Sequence, residues 1–171
     1  DREYWAGLAE VVKYGVILDA DFFAFLESRV EGIRERRSDV LQPIVARCCE
    51  LKAQVVQADE REETGLRAVL NYGHTFCHAI ETVTQYGQYL HGEAVSIGME
   101  CAARLAESMG RIDQQFIARQ QSLLTACQLP VTAVDLDPAA LLQAMQHDKK
   151  VEHGKLRFVL PTTLGHVELV D

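Results

Sequence analysis

Apolar residues recur at helical spacing along most of this chain, and that periodicity limits its fold more than any other feature. Trp5, Leu8, Val12, Val16 and Ile17 mark one side of a helix over 2–18, the pattern of a segment with one buried face. A short helix carrying Phe22, Phe25 and Leu26 is expected after Asp21, and Gly32 with the charged run 34–37 predicts a solvated break. Leu41, Ile44, Val45, Cys48, Leu51 and Val55 form a stripe over 40–60. Ser38 looks like its cap, but Pro43 would then lie deep in the helix, so the expected start is near Gln42.

Residues 59–63 are all charged and predict a loop, after which Thr64 offers a cap to a helix over 65–83. A further helix is expected over 91–109, stopped by Gly110. Asp113 caps a helix over 114–128, with Pro130 beyond it, and Asp137 followed by Pro138 opens one that ends near His147. Only the tail alternates: 156–160 and 166–170 flank a turn at 161–165 and predict a hairpin. With no internal repeat or second domain boundary, the expected class is mainly α, a multi-helical domain with a small C-terminal β-hairpin.

A chain of 171 residues fits one domain, long enough to bury roughly two-thirds of its unfolded surface without disulfides or metal. Its net charge of −8 argues against nucleic acid as a partner. Ordinary apolar content and the lack of low-complexity tracts exclude a disordered chain, and no apolar run reaches the roughly 18 residues of a membrane span. The chain opens at Asp1 without an initiating Met and shows no secretion signal, so a piece of a longer cytoplasmic protein is expected. Cys48, Cys49, Cys77, Cys101 and Cys127 form no C-x-x-C pair and are expected to be buried and reduced. Cys48 and Cys49 read as packing groups, and His153 and His166 as exposed.

The chemistry concentrates between Thr64 and Glu81. On a single helix, Arg67, Asn71, His74 and His78 follow one another at spacings of four, three and four and share an arc of roughly 60°. Leu66, Val69, Leu70, Phe76, Cys77 and Ile80 supply an opposite stripe to bury. A surface chosen for solubility would carry Glu and Lys in place of an amide, a guanidinium and two imidazoles. His74 and His78 could bind a metal together, although no Glu stands between them as in H-E-x-x-H helices. One of them could instead join His91, at a helix start beside Gly92, and Glu10, an acid flanked by Ala9 and Val11. Glu with two His and an open position is a typical catalytic zinc set. Glu10 could equally pair with Lys13 one turn away, and spacing does not choose between these arrangements. Lys52 and the run from His147 to Lys150 add positive charge suited to an anionic ligand.

The segments GLAEVVKYG at 7–15, LNYGHTFCHAIE at 70–81, HGEAVSIGM at 91–99 and DKKV at 148–151 resemble, in order, those of 3-dehydroquinate synthases. The resemblance runs from residue 7 to about 165 and covers the helical, metal-binding C-terminal domain of that family. It implies a lyase of the shikimate pathway that converts 3-deoxy-arabino-heptulosonate 7-phosphate into 3-dehydroquinate and phosphate with NAD and a divalent metal, zinc or cobalt. Position by position, it implies Glu10, His74 and His91 as metal ligands. It implies Lys13, Lys52, Arg67, Asn71, His78 and one of Lys149 and Lys150 as substrate contacts, which turns His78 towards substrate.

In that scheme Arg67 and Lys52 clamp a carboxylate, and Asn71 with His78 holds phosphate and relays protons. The basic residues would converge on one pocket for an acidic substrate. The resemblance further implies an N-terminal NAD-binding domain outside this chain, a homodimer in the full enzyme, and negligible activity from the chain alone. Two departures are visible. Cys77 stands where the family usually has Gly in G-H-T-x-G-H, and 62–64 looks slightly longer than in some members. A cyclase making an inosose or a valiolone, a metal-dependent polyol dehydrogenase, and a folded metal-binding module without turnover are the competing readings.

Overall fold

A computed structural model describes residues 1–61, 65–147 and 156–171. The elements are α1 (Arg2–Leu18), α2 (Ala20–Ser28), α3 (Val30–Arg34), α4 (Ser38–Ala58), a 3-10 helix (Leu66–Asn71), α5 (His74–Val83), α6 (His91–Ser108), α7 (Gln114–Ala126), α8 (Pro138–His147), β1 (Phe158–Thr163) and β2 (His166–Val170). The mainly α class with a terminal hairpin therefore holds.

Two helices form the centre. In α1, Ala9, Val12 and Val16 are essentially inaccessible, and α6 is buried along one unbroken run from Ala94 to Glu100. The small side chains of α6 let neighbours approach closely. A Cβ on Gly92 would stand 1.9 Å from the Ala6 carbonyl oxygen of α1, and one on Gly98 only 2.1 Å from that of Gly73. These contacts set how α1 and the start of α5 lie against α6, and hence where the side chains at their ends meet. The hairpin packs on α6 and α1, and its turn is tied down where the Gly165 N–H donates to the Val16 carbonyl at 2.9 Å.

Local signals explain most boundaries. Asp113 accepts from the Phe116 N–H at 2.9 Å and starts α7 as expected, while Gly110 takes a left-handed conformation (φ 70°) just beyond α6. The second helix is capped by Asp19 instead of following Asp21: Asp19 Oδ1 accepts from the Phe22 N–H at 2.9 Å. The expected break at 34–37 is narrower, because Val30–Arg34 completes a turn of helix that buries Gly32 and Ile33 against α4. Helix α4 begins at Ser38 and carries Pro43 inside it. The proline forfeits one backbone bond, to the carbonyl of exposed Asp39, which water can satisfy. Val45 falls outside the buried stripe at 59% exposure.

The hairpin is shifted towards its turn, with pairing from Phe158 opposite Val170 to Thr163 opposite His166 and a bulge after Pro161. All five cysteines are free, but only Cys77 and Cys127 are buried, and Cys49 is exposed. His166 is exposed as expected; His153 lies outside the described residues. Among the described residues no helix is long and apolar enough to cross a membrane.

The largest departure from expectation lies between 65 and 83. The single helix predicted there is two: the 3-10 helix ends at Asn71, Gly73 turns the chain at φ 78°, and α5 starts afresh at His74. The cause is long-range. Tyr72 is driven wholly into the core, where its hydroxyl donates to Gln120 Oε1 of α7 at 2.8 Å, and Gly73 must pass directly over Gly98. Leu66, expected on the buried stripe, is left 41% exposed.

Candidate metal centre

Three elements deliver a compact polar cluster. Helix α1 supplies Glu10 and Lys13 from adjacent turns, α5 supplies His74 from its first residue, and α6 supplies His91 from its own first residue. Donor atoms of Glu10, His74 and His91 all lie within 4.8 Å of one another. The position of α6 is locked near this point by Arg2, whose Nε and Nη2 donate to the two oxygens of Glu93, each at 2.7 Å. Glu93 Oε2 in turn accepts from the Leu90 N–H at 2.9 Å.

The protonation pattern suits a cation. His74 Nδ1 is 3.1 Å from the Tyr72 carbonyl, which can only accept, so Nδ1 carries the proton and Nε2 presents its lone pair. Burial, with Lys13 nearby, pushes the His74 pKa down to about 4, so the ring is neutral at pH 7. That lone pair faces Glu10 Oε1 at 3.5 Å, and Oε1 is buried without a hydrogen-bond partner among the described residues. Two acceptors facing each other in a buried site repel unless a positive ion lies between them. The donor set therefore fits a divalent metal. His91 joins the group: its Nδ1 lies 2.9 Å from Glu81 Oε1, which leaves Nε2 as the nitrogen able to present a lone pair.

A second set, Cys77, Glu81 and His91, is as tightly grouped. Ligation there would need a thiolate, and burial together with the Glu81 charge pushes the Cys77 thiol far above its ordinary value. The first set is the better metal site.

Glu10 has a close neighbour on each side. Its Oε2 meets Lys13 Nζ at 2.6 Å while its Oε1 faces His74. Burial lowers the pKa of Lys13, which is 3% exposed, and Lys52 lowers it further against the opposing pull of Glu10. Lys52 itself is exposed on α4.

His78 is one turn beyond His74, with ring centroids 5.8 Å apart, and lies outside the ligand group. It lines a cleft of about 660 Å³ between α5 and α8, opposite Ala140, Gln143 and His147. Arg67 and Asn71 are half-buried on the 3-10 helix, where the Arg67 N–H donates to Asp59 Oδ2 at 3.2 Å. The shared helical face expected for Arg67, Asn71, His74 and His78 is thus replaced by two short elements meeting at Gly73. Lys149 and Lys150 lie outside the described residues, as do the cap expected at Thr64 and the segment 62–64.

Sequence reasoning assigned no role to Glu81, Tyr72 or Gln120. Glu81 carried a usable signal, an acid seven residues after His74 on the face of α5 that buries Cys77.

The family model described as 3-dehydroquinate synthase C-terminal matches residues 7–151. This chain belongs to that family. Two curated 3-dehydroquinate synthases are each 52% identical to it: that of Rhodopirellula baltica over 170 residues (99% of this chain, 45% of the relative) and that of Geotalea uraniireducens over 165 (96% and 46%). The chain spans about half the length of the curated relatives it matches. Among solved structures, a 2-epi-5-epi-valiolone synthase from Streptomyces hygroscopicus subsp. jinggangensis, with NAD+ and Zn2+ bound, is similar at TM-score 0.87 and 26% identity, over 99% of this chain and 47% of that one. A 2-deoxy-scyllo-inosose synthase complexed with carbaglucose-6-phosphate, NAD+ and Co2+ is similar at TM-score 0.80 and 29% identity, again over 99% and 47%. Family membership and the mainly α domain thus agree.

Proposed function

We propose that the chain is the metal- and substrate-binding half of a 3-dehydroquinate synthase, acting on 3-deoxy-arabino-heptulosonate 7-phosphate to release phosphate and form 3-dehydroquinate. The observation that carries this reading is the cluster of Glu10, His74 and His91 around a buried carboxylate oxygen that has no hydrogen-bond partner among the described residues. The 52% identity to curated synthases supports the choice of reaction.

Glu10, His74 and His91 would hold the divalent ion, zinc or cobalt. Bound there, the ion supplies Lewis acidity and a template for the substrate's hydroxyls, lowering the pKa of the one to be oxidised. Lys13, buried beside Glu10, adds a fixed positive charge at the edge of the centre. Arg67 and Lys52 bind the substrate carboxylate, for which a guanidinium fork is well shaped. Asn71 and His78 hold the phosphate, and His78 passes a proton as it departs. One of Lys149 and Lys150, which lie outside the described residues, is a further substrate contact in this reading.

NAD would be held mainly by an N-terminal half supplied outside these residues, so the chain alone is expected to be inactive. A cytoplasmic homodimer is the expected form of the whole enzyme.

The structural neighbours make a valiolone and an inosose, so a related cyclase is the alternative reading. Arg67 and Lys52 favour a carboxylated substrate. The deciding experiment assays the full-length protein, supplied with NAD and zinc. Phosphate release from the carboxylated heptulosonate alone is expected; release only from sugar phosphates lacking the carboxylate would select the alternative.

A further inference from the structure

Glu81 is a buried carboxylate, 8% exposed, on the inner face of α5. No Lys or Arg lies within ion-pairing distance of it among the described residues. Burial of such a group is costly unless a donor satisfies it. His91 Nδ1 stands 2.9 Å from its Oε1, and Cys77, one turn back on the same helix, has its Sγ grouped with these atoms within 4.8 Å. His91 itself is exposed at the first turn of α6. Among the described residues, Glu81 and Cys77 Sγ at 3.7 Å are its close polar neighbours on the Nδ1 side. Without Glu81 the imidazole would be free to flip and to change tautomer.

We propose that Glu81 is the positioning residue of the metal centre: it fixes His91 with the proton on Nδ1 and Nε2 turned towards Glu10 and His74. Cys77 Sγ, 3.7 Å from His91 Nδ1, stands against the same side of the ring. The arrangement is a carboxylate–imidazole–metal relay, in which the outer carboxylate sets ring orientation and raises ligand basicity, commonly altering metal affinity about 10–100-fold. His74 receives the corresponding restraint from the Tyr72 carbonyl, so each imidazole ligand has its own acceptor. The proposal rests on the reading of Glu10, His74 and His91 as ligands.

The test measures zinc affinity of the 171-residue chain by competition with a chromogenic chelator, so no turnover is needed. Glu81→Ala is expected to weaken zinc about 10–100-fold, and Glu81→Gln, whose amide oxygen can still accept from Nδ1–H, less than that. The Co2+ absorption bands of Glu81→Gln should shift, which a merely structural role would not cause. Unchanged affinity and spectra in both variants would overturn the proposal.

Should the variants not fold, nitrogen NMR of the zinc-bound wild type decides, since His91 must carry its proton on Nδ1. A proton on Nε2, with the Cys77 thiol donating to Nδ1, would overturn it equally. His91→Ala and Glu10→Ala separate the two levels. If these keep zinc, the ligand reading fails; if they lose it while the Glu81 variants do not, only the positioning role fails.

Discussion

Glu10 faces two ways: its Oε2 meets Lys13 Nζ at 2.6 Å, and its Oε1 stands 3.5 Å from the lone pair of His74 Nε2. One carboxylate thereby pairs with a buried ammonium and presents to a neighbouring imidazole an oxygen that has no hydrogen-bond partner among the described residues. Replacing Glu10 with Gln disturbs both functions. Zinc stoichiometry in Glu10→Gln should fall well below that of the wild type by elemental analysis. The metal-free variant should lose about 1–3 kcal/mol, because Lys13 is left buried without its counter-charge. Zinc should conversely raise the wild-type melting temperature, by about 2.7 kcal/mol of stabilisation at a free concentration one hundred times Kd, and a chelator should reverse it. A melting curve indifferent to zinc and chelator would contradict the site.

Gly92 and Gly7 make a paired test of the α1–α6 contact. A methyl at Gly92 collides with the Ala6 carbonyl at 1.9 Å, whereas one at Gly7 meets nothing within 4 Å. Gly92→Ala must push α6 from α1, costing about 1–3 kcal/mol or more and moving His91 away from Glu10, so thermal stability and zinc affinity fall together. Gly7→Ala, in the interior of α1, should gain about 0.5–1 kcal/mol. Equal melting temperatures for the two variants would refute this packing.

Tyr72 joins the core to the centre, with its hydroxyl on Gln120 Oε1 and its carbonyl at His74 Nδ1. Tyr72→Phe keeps the ring but leaves the Gln120 oxygen buried without that donor, a loss of about 1–3 kcal/mol. Denaturant unfolding should show it. Because the carbonyl stays, zinc stoichiometry should persist.

Asp19 provides a pH test remote from the centre. Burial would raise its pKa, but the Phe22 N–H and Arg47 outweigh burial and hold it below the ordinary carboxylate value. Arg47 Nε and Nη2 donate to its Oδ2 at 2.8 and 2.6 Å. A depressed folded-state pKa means that the unfolded chain takes up the proton first. The stabilisation is therefore complete above about pH 4, the unfolded value, and declines as pH falls through the folded value. Asp19→Ala should cost about 1 kcal/mol at pH 7 from the lost cap. The gap between wild type and variant should narrow below pH 4; a gap independent of pH would count against the Asp19 interactions.

The sequence by itself determined what depends on near neighbours. Helical spacing placed α1, α4 and α6, Gly110 marked the end of α6 and Asp113 the start of α7 from chemistry a few residues away, and the ordered motifs identified the family. The choice of Glu10, His74 and His91 as the proposed ligands came only through that resemblance, because three residues from three separate segments have no common period.

Tertiary structure decided the rest. The run Arg67, Asn71, His74, His78 has a helix's spacing, yet the chain breaks inside it. Burying Tyr72 on Gln120 and sliding Gly73 over Gly98 outweigh the local preference for one helix. Glu10 had two candidate partners in sequence and in space takes both, and Glu81 acquires its partner only where α5 and the start of α6 meet. Those contacts are set by how closely glycine and alanine let the helices approach, a distance that no local pattern encodes.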